Sequence, residues 1–202
     1  MRIQPINQWL RRVPPRAIYV AALLPVLWLL WQAVSGDLGP DPVKVIEHQL
    51  GLWGLQALIA TLLITPIRWL MGISLLHLRR AMGLVCFFYI TLHILVWAML
   101  DMQLLWAQMG ADILKRPYIT VGIVGFGWLI PLAITSNTAA IRRLGSALWR
   151  RLHQLTYGVA AAGAVHYLWS VKVISLETLL YACTVAGLLL LRLIRVWWPH
   201  RR

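Results

Sequence analysis

Residues 79–100 read RRAMGLVCFFYITLHILVWAML. Two arginines open the stretch, and twenty residues follow in which His93 is the only ionisable group apart from a cysteine and a tyrosine. About 20 apolar residues, at about 1.5 Å rise each, cross the hydrocarbon core of a bilayer as a helix. The stretch therefore predicts a membrane span that begins at a basic face and carries one imidazole at depth. Five more runs of this kind lie at about residues 17–34, 50–66, 118–135, 152–170 and 176–194. With the run at 81–100 they predict an all-α membrane protein, one six-helix bundle over residues 1–202 with no separate soluble domain. The first run follows a basic N-terminus. It is long for a signal-peptide core and no small-residue cleavage site precedes Asp37, so it reads as an anchor.

Composition points the same way. Of the 202 residues, 60% are hydrophobic and 12% charged, against about 25% charged in soluble domains. The net charge of +13 would suggest nucleic acid if the basic residues formed one face or stripe. Instead they cluster between apolar runs, so no nucleic-acid partner is expected and lipid is the main solvent. One side of the alternation holds Arg2, Arg11, Arg12 and Arg16, then Arg68, Arg79 and Arg80, then Arg142, Arg143, Arg150 and Arg151, then Arg192, Arg195, Arg201 and Arg202. The other holds Lys44, Lys115, Arg116 and Lys172, and all six acids fall on or beside it. Lys/Arg bias sets membrane orientation, so both termini are expected in the cytoplasm. Cys86 and Cys183 have no CxxC spacing and read as small buried apolar residues.

Ionisable residues at membrane depth are costly and are usually functional. Counted from Arg80, His93 lies 13 residues up its span, about 20 Å. Counted from Arg151, His166 lies 15 residues up, about 22 Å by the same rise. The two are expected to be level, on spans that are not adjacent in sequence, as a bis-histidine haem requires. His153 precedes His166 by 13 residues and lies toward the cytoplasm, where a second cofactor would fit. On an ideal helix these two side chains point roughly 140° apart, so a local distortion or a different helix partner is needed to share a face. His77, before the third span, is a candidate partner for His153. His48 reads as an interface residue and His200 as part of the tail. Each histidine could instead satisfy a hydrogen bond within the bundle. Gly158 to Ala164, and Gly122, Gly125 and Gly127, admit a close helix or a flat macrocycle equally well. The twelve tryptophans gather near span ends, Trp9, Trp69, Trp106, Trp149, Trp169, Trp197 and Trp198 among them, as an aromatic belt does.

Residues 61–70 (TLLITPIRWL), 79–97 (RRAMGLVCFFYITLHILVW), 115–122 (KRPYITVG), 152–175 (LHQLTYGVAAAGAVHYLWSVKVIS) and the outer loop 36–51 (GDLGPDPVKVIEHQLG) resemble a known family. It is the haem-binding membrane subunit of the bacterial periplasmic methionine-sulfoxide reductase system, in the wider ferric-reductase-like transmembrane group. The resemblance covers nearly the whole chain. It implies a multi-pass cytochrome b of the bacterial inner membrane, with one or two b haems and FMN. It implies electrons taken from a cytoplasmic flavin reductase or the quinone pool, and delivered to a periplasmic molybdopterin enzyme that reduces methionine sulfoxide in oxidised proteins. Carried over by motif, the haem iron ligands are His93, His153 and His166. His77 lies outside the motif, and where the wider group has a fourth histidine this chain has Arg79 and Arg80. The chain would then be an electron-transfer subunit rather than a catalyst of bond chemistry. Two other classes compete. A proton-relay transporter using the histidines would require intramembrane acids or broken helices beside them. A structural assembly factor would tolerate loss of the histidines.

Overall fold

The computed structural model describes residues 3–197, so Arg2, Trp198, His200, Arg201 and Arg202 lie outside the described residues. Among those described there are helices and no strands: α1 (Gln4–Leu10), α2 (Pro15–Ser35), α3 (Pro42–Met71), α4 (Arg79–Val96), α5 (Trp106–Lys115), α6 (Pro117–Ile134), α7 (Thr138–Leu152), α8 (Leu155–Ser170) and α9 (Leu176–Trp197). Helix starts follow local chemistry. Pro15, Pro42 and Pro117 stand at first helical positions, where a missing N–H costs nothing. Asp41 caps α3 by accepting from the Lys44 N–H at 3.2 Å, and Asn137 caps α7 by accepting from the Ala140 N–H at 2.8 Å.

Among the described residues, five helical stretches are long and apolar enough to cross a membrane: Pro15–Ser35, Pro42–Met71, Leu76–Asp101, Pro117–Ile134 and Leu176–Arg195. They answer to five of the six expected runs. The expected run at 152–170 is not one straight helix. It divides at His153 and Gln154 into the end of α7 and the start of α8. There the Thr156 hydroxyl and N–H both donate to the His153 carbonyl, and the Tyr157 N–H reaches Gln154. A side chain competing for backbone carbonyls tightens a turn in this way. The 16 residues of α8 rise about 24 Å.

The chain forms two compact units, residues 1–111 and 112–202. In the first, α4 packs against α3 and α2. Leu55, Leu58, Leu62 and Ile64 of α3 and Ala81, Val85 and Cys86 of α4 form its core. Ile90 fills the space that a Cβ on Gly54 would need, so these backbones approach closely. The Tyr89 hydroxyl donates to the Ala22 carbonyl at 2.8 Å and ties α4 to α2. The Asn7 amide of α1 donates to Gly72 O and accepts from the Ser74 N–H, clamping the turn after α3. Gly72 ends α3 with φ +72°, a conformation that favours glycine. In the second unit, α8 packs against α6 and α9. Gly125 faces Ala162, and Gly158 faces the Trp128 ring. The Arg192 guanidinium donates to the Tyr157 hydroxyl at 3.0 Å and lies over its ring. α7 has no buried residue and carries Arg142, Arg143, Arg150 and Arg151, with a kink at Gly145 where φ is +74°.

Elsewhere large apolar side chains point outward. Leu24, Trp28 and Trp31 of α2 are each more than 60% exposed, which suits a lipid-facing surface. Cys86 is buried as expected. Cys183 is exposed on α9, a correction to the expected burial, and a small weakly polar side chain on that surface is in keeping with lipid contact.

Candidate functional site

His93 stands near the end of α4, half-buried. Its Nδ1 lies 2.8 Å from the carbonyl oxygen of Glu47, in the second turn of α3. A carbonyl only accepts, so Nδ1 carries a proton, and in the neutral form of the ring the lone pair lies at Nε2. That is the tautomer that binds iron through Nε2, with the other nitrogen oriented by a backbone carbonyl. Glu47 serves a second contact through its side chain. Its carboxylate takes the Lys44 ammonium at 3.2 Å, and the same ammonium reaches Asp101 at 2.7 Å. Asp101 closes the π-helical turn Trp97–Asp101 that continues α4. Such turns mark local rearrangements of a helix and are frequent at functional sites. Gln103 and Leu104, just beyond it, hold φ of +48° and +57°, strained values for residues with a Cβ.

His166 repeats the arrangement in the second unit. Its Nδ1 lies 2.7 Å from the Tyr118 carbonyl in the first turn of α6, and its ring sits 5.9 Å from that of Tyr118. Nδ1 again donates, and Nε2 again holds the lone pair. The two histidines of greatest depth in the sequence are thus set in the same tautomer by the same kind of contact.

His153 is held differently. Its Nε2 lies 3.1 Å from the Thr135 hydroxyl, which itself donates to the Pro131 carbonyl at 2.6 Å. With its one proton so used, the hydroxyl accepts from Nε2–H, and the ring lone pair falls on Nδ1. Trp149 stacks on the imidazole with centroids 3.9 Å apart and donates its indole N–H to the Thr135 carbonyl at 2.9 Å. Thr135, Trp149 and His153 form a closed triangle. His77 lies in the 3-10 turn Leu76–Leu78 before α4, and its Nε2 is buried with no hydrogen-bond partner among the described residues. Thr65 Oγ1, near the end of α3, is in the same state. His48 is exposed on α3, as an interface residue would be.

Sequence reasoning found the histidines and missed their supports: the carbonyls of Glu47 and Tyr118, the hydroxyl of Thr135, and Trp149, which does more than sit in an aromatic belt. Among the described residues no group of three or more His, Cys, Asp or Glu side chains could hold a bare metal ion. Single imidazoles presented through Nε2, as at His93 and His166, suit an iron that brings its own equatorial nitrogens, as haem does.

The model of the family described as "Ferric reductase like transmembrane component" matches residues 16–164, a span holding His93 and His153 and stopping just short of His166. Curated relatives in Brucella ovis, Brucella canis and Brucella suis are each 46% identical over 185 residues, 92% of this chain and 84% of the relative. Each is named "Protein-methionine-sulfoxide reductase heme-binding subunit MsrQ". No solved structure matches the chain.

Proposed function

The chain belongs to the ferric reductase like transmembrane family and is a multi-pass membrane protein, and from that premise we propose a b-type cytochrome that carries electrons across the bacterial inner membrane. In this reading His93 and His166 bind the iron of one haem, each through Nε2. The observation that carries it is the pair of Nδ1 contacts, 2.8 Å to Glu47 O and 2.7 Å to Tyr118 O, which set both rings in the ligating tautomer. A bound haem would supply reversible one-electron storage at iron. The chain's own residues then fix the two ring planes, keep the site dry and set the depth of the carrier. A proton relay would need both ring nitrogens to exchange protons, whereas each Nδ1 here faces a carbonyl that only accepts.

The inner side of the proposal rests on His153. It would hold a second haem, with His77 as a candidate partner, through Nδ1 or through Nε2 once Thr135 lets go. FMN rests on the family resemblance alone. The six-span topology with both termini cytoplasmic belongs to the same reading, α8 being the short span. Electrons would come from a cytoplasmic flavin reductase or the quinone pool. The printed name of the relatives supports a methionine-sulfoxide reductase catalytic subunit as the acceptor, here taken as a periplasmic molybdenum enzyme. The chain is then the electron-transfer subunit of that system.

The test is haem content and the reduced visible spectrum of purified protein. The wild type is expected to be red, with split low-spin bands. His93→Ala and His166→Ala are each expected to lose the outer haem's contribution to them and to lower haem per chain. Both variants keeping the wild-type spectrum would overturn the assignment.

A further inference from the structure

The two deep histidines share one more feature. On α3 the carbonyl that receives His93 belongs to Glu47, and four residues on stands Gly51. On α6 the carbonyl that receives His166 belongs to Tyr118, and four residues on stands Gly122. The two pairs are separated similarly in sequence, 46 residues from Glu47 to His93 and 48 from Tyr118 to His166. An α-helical Cα–Cβ bond tilts toward the helix N-terminus, so a side chain covers the turn before its own Cα. Any side chain at the fourth residue after a carbonyl therefore leans over that carbonyl. Glycine leaves it open, and its second lone pair can take a hydrogen bond from outside the helix.

The distances bear this out in both units. A Cβ on Gly122 would lie 2.7 Å from His166 Nδ1, 3.0 Å from Cε1 and 3.3 Å from Cγ. A Cβ on Gly51 would lie 3.2 Å from His93 Nδ1, 3.3 Å from Cε1 and 3.7 Å from Cγ. The imidazoles occupy the space the missing methyl groups would take. Other glycines behave otherwise. Gly127 on the same helix as Gly122, and Gly83 on the same helix as His93, have nothing within 4 Å of an added Cβ.

We propose that Gly51 and Gly122 are positioning residues: each opens a helix carbonyl to a histidine ring, and each sets the plane and tilt of its own ring as a haem ligand. The proposal rests on the haem reading above. The two notches are unequal. At Gly51 a ring displacement of a few tenths of an ångström makes room for a methyl group. At Gly122 the contact is too short for that, and a ring tethered at Nδ1 and bound to iron at Nε2 cannot swing clear without losing one tether. The outer site is thus more sensitive on the His166 side.

The experiment compares Gly51→Ala, Gly122→Ala, Gly83→Ala and Gly127→Ala with the wild type and His166→Ala, all in the full chain. Readouts are haem per chain, the ferric low-spin EPR g-values, which report the ring planes, and the midpoint potential. Alanine is the better helix former, so propensity alone favours every glycine variant. Gly122→Ala is expected to lose most of the haem or to shift both g-values and potential. Gly51→Ala is expected to keep haem with a smaller shift of the same kind, and Gly83→Ala and Gly127→Ala to match the wild type. Should Gly122→Ala fail to accumulate in the membrane, Gly51→Ala decides, and g-values and potential unchanged from the wild type overturn the proposal. If His166→Ala destroys the low-spin signal while both notch variants keep it unaltered, positioning fails and the haem reading stands. If His166→Ala leaves the signal intact, the haem reading fails and takes the positioning role with it.

Discussion

A backbone carbonyl accepts hydrogen bonds and donates none, so the nitrogen facing it decides the chemistry of the other nitrogen in the ring. This is how Glu47 and Tyr118 act on His93 and His166, and why Thr135 gives His153 the opposite tautomer. The Thr135 contact makes a residue-level prediction. Thr135→Val leaves the half-buried Nε2–H of His153 without its acceptor, and an unmet buried donor costs about 1–3 kcal/mol. Unfolding in mixed micelles should show a loss of that order for Thr135→Val and little for Thr135→Ser. Equal stability of Thr135→Val and wild type would contradict the assignment of the proton. The deep histidines were legible in the sequence because an imidazole among apolar residues is conspicuous and costly. Their supports were not, since a main-chain carbonyl is present at every position and carries no letter of its own. Gly122 was visible, but a glycine in a span serves helix packing and ligand approach alike. Gly51 gave no signal until a ring was found against it.

Helix by helix, the bilayer imposes a length and an apolar composition, and both are written along the chain. Five expected spans therefore reappear as helices, four of them close to their expected limits, while α3 starts eight residues before and ends five residues after the expected run at 50–66. The departure at α7 and α8 comes from hydrogen bonding around His153, where neither proline nor glycine announces a break. It is also why the ideal-helix angle between His153 and His166 does not apply. The π-helical turn after His93 was unreadable for the same reason. Attachment of α2 supplies the element-level prediction. Its exposed apolar face meets lipid, and the Tyr89 hydroxyl to Ala22 carbonyl bond is its buried polar tie to α4. Tyr89→Phe is expected to lower unfolding stability by about 0.6–1.5 kcal/mol, with the haem spectrum unchanged. A variant as stable as the wild type would show that the tie contributes nothing.

For the molecule as a whole, charge asymmetry and the alternation of loops predict an even number of crossings with both termini inside. A fluorescent-protein fusion after Arg202 should glow, and alkaline phosphatase fused after Gly39 or after Lys172 should be active. A dark C-terminal fusion would remove one crossing, and α8, the shortest candidate, would be the first suspect. In the proposed conduit a cytoplasmic donor feeds the inner histidine and a periplasmic acceptor draws from the outer pair. That conduit stands only if iron is bonded to one imidazole from each of two helices. Pulsed EPR of the ferric protein grown with nitrogen-15 histidine reads those bonds directly. The account predicts couplings from two histidine nitrogens in the wild type, one assigned by its loss in His93→Ala and the other by its loss in His166→Ala. Couplings of the outer haem that survive unchanged in both variants, or a wild-type outer haem coupled to a single histidine, would contradict it.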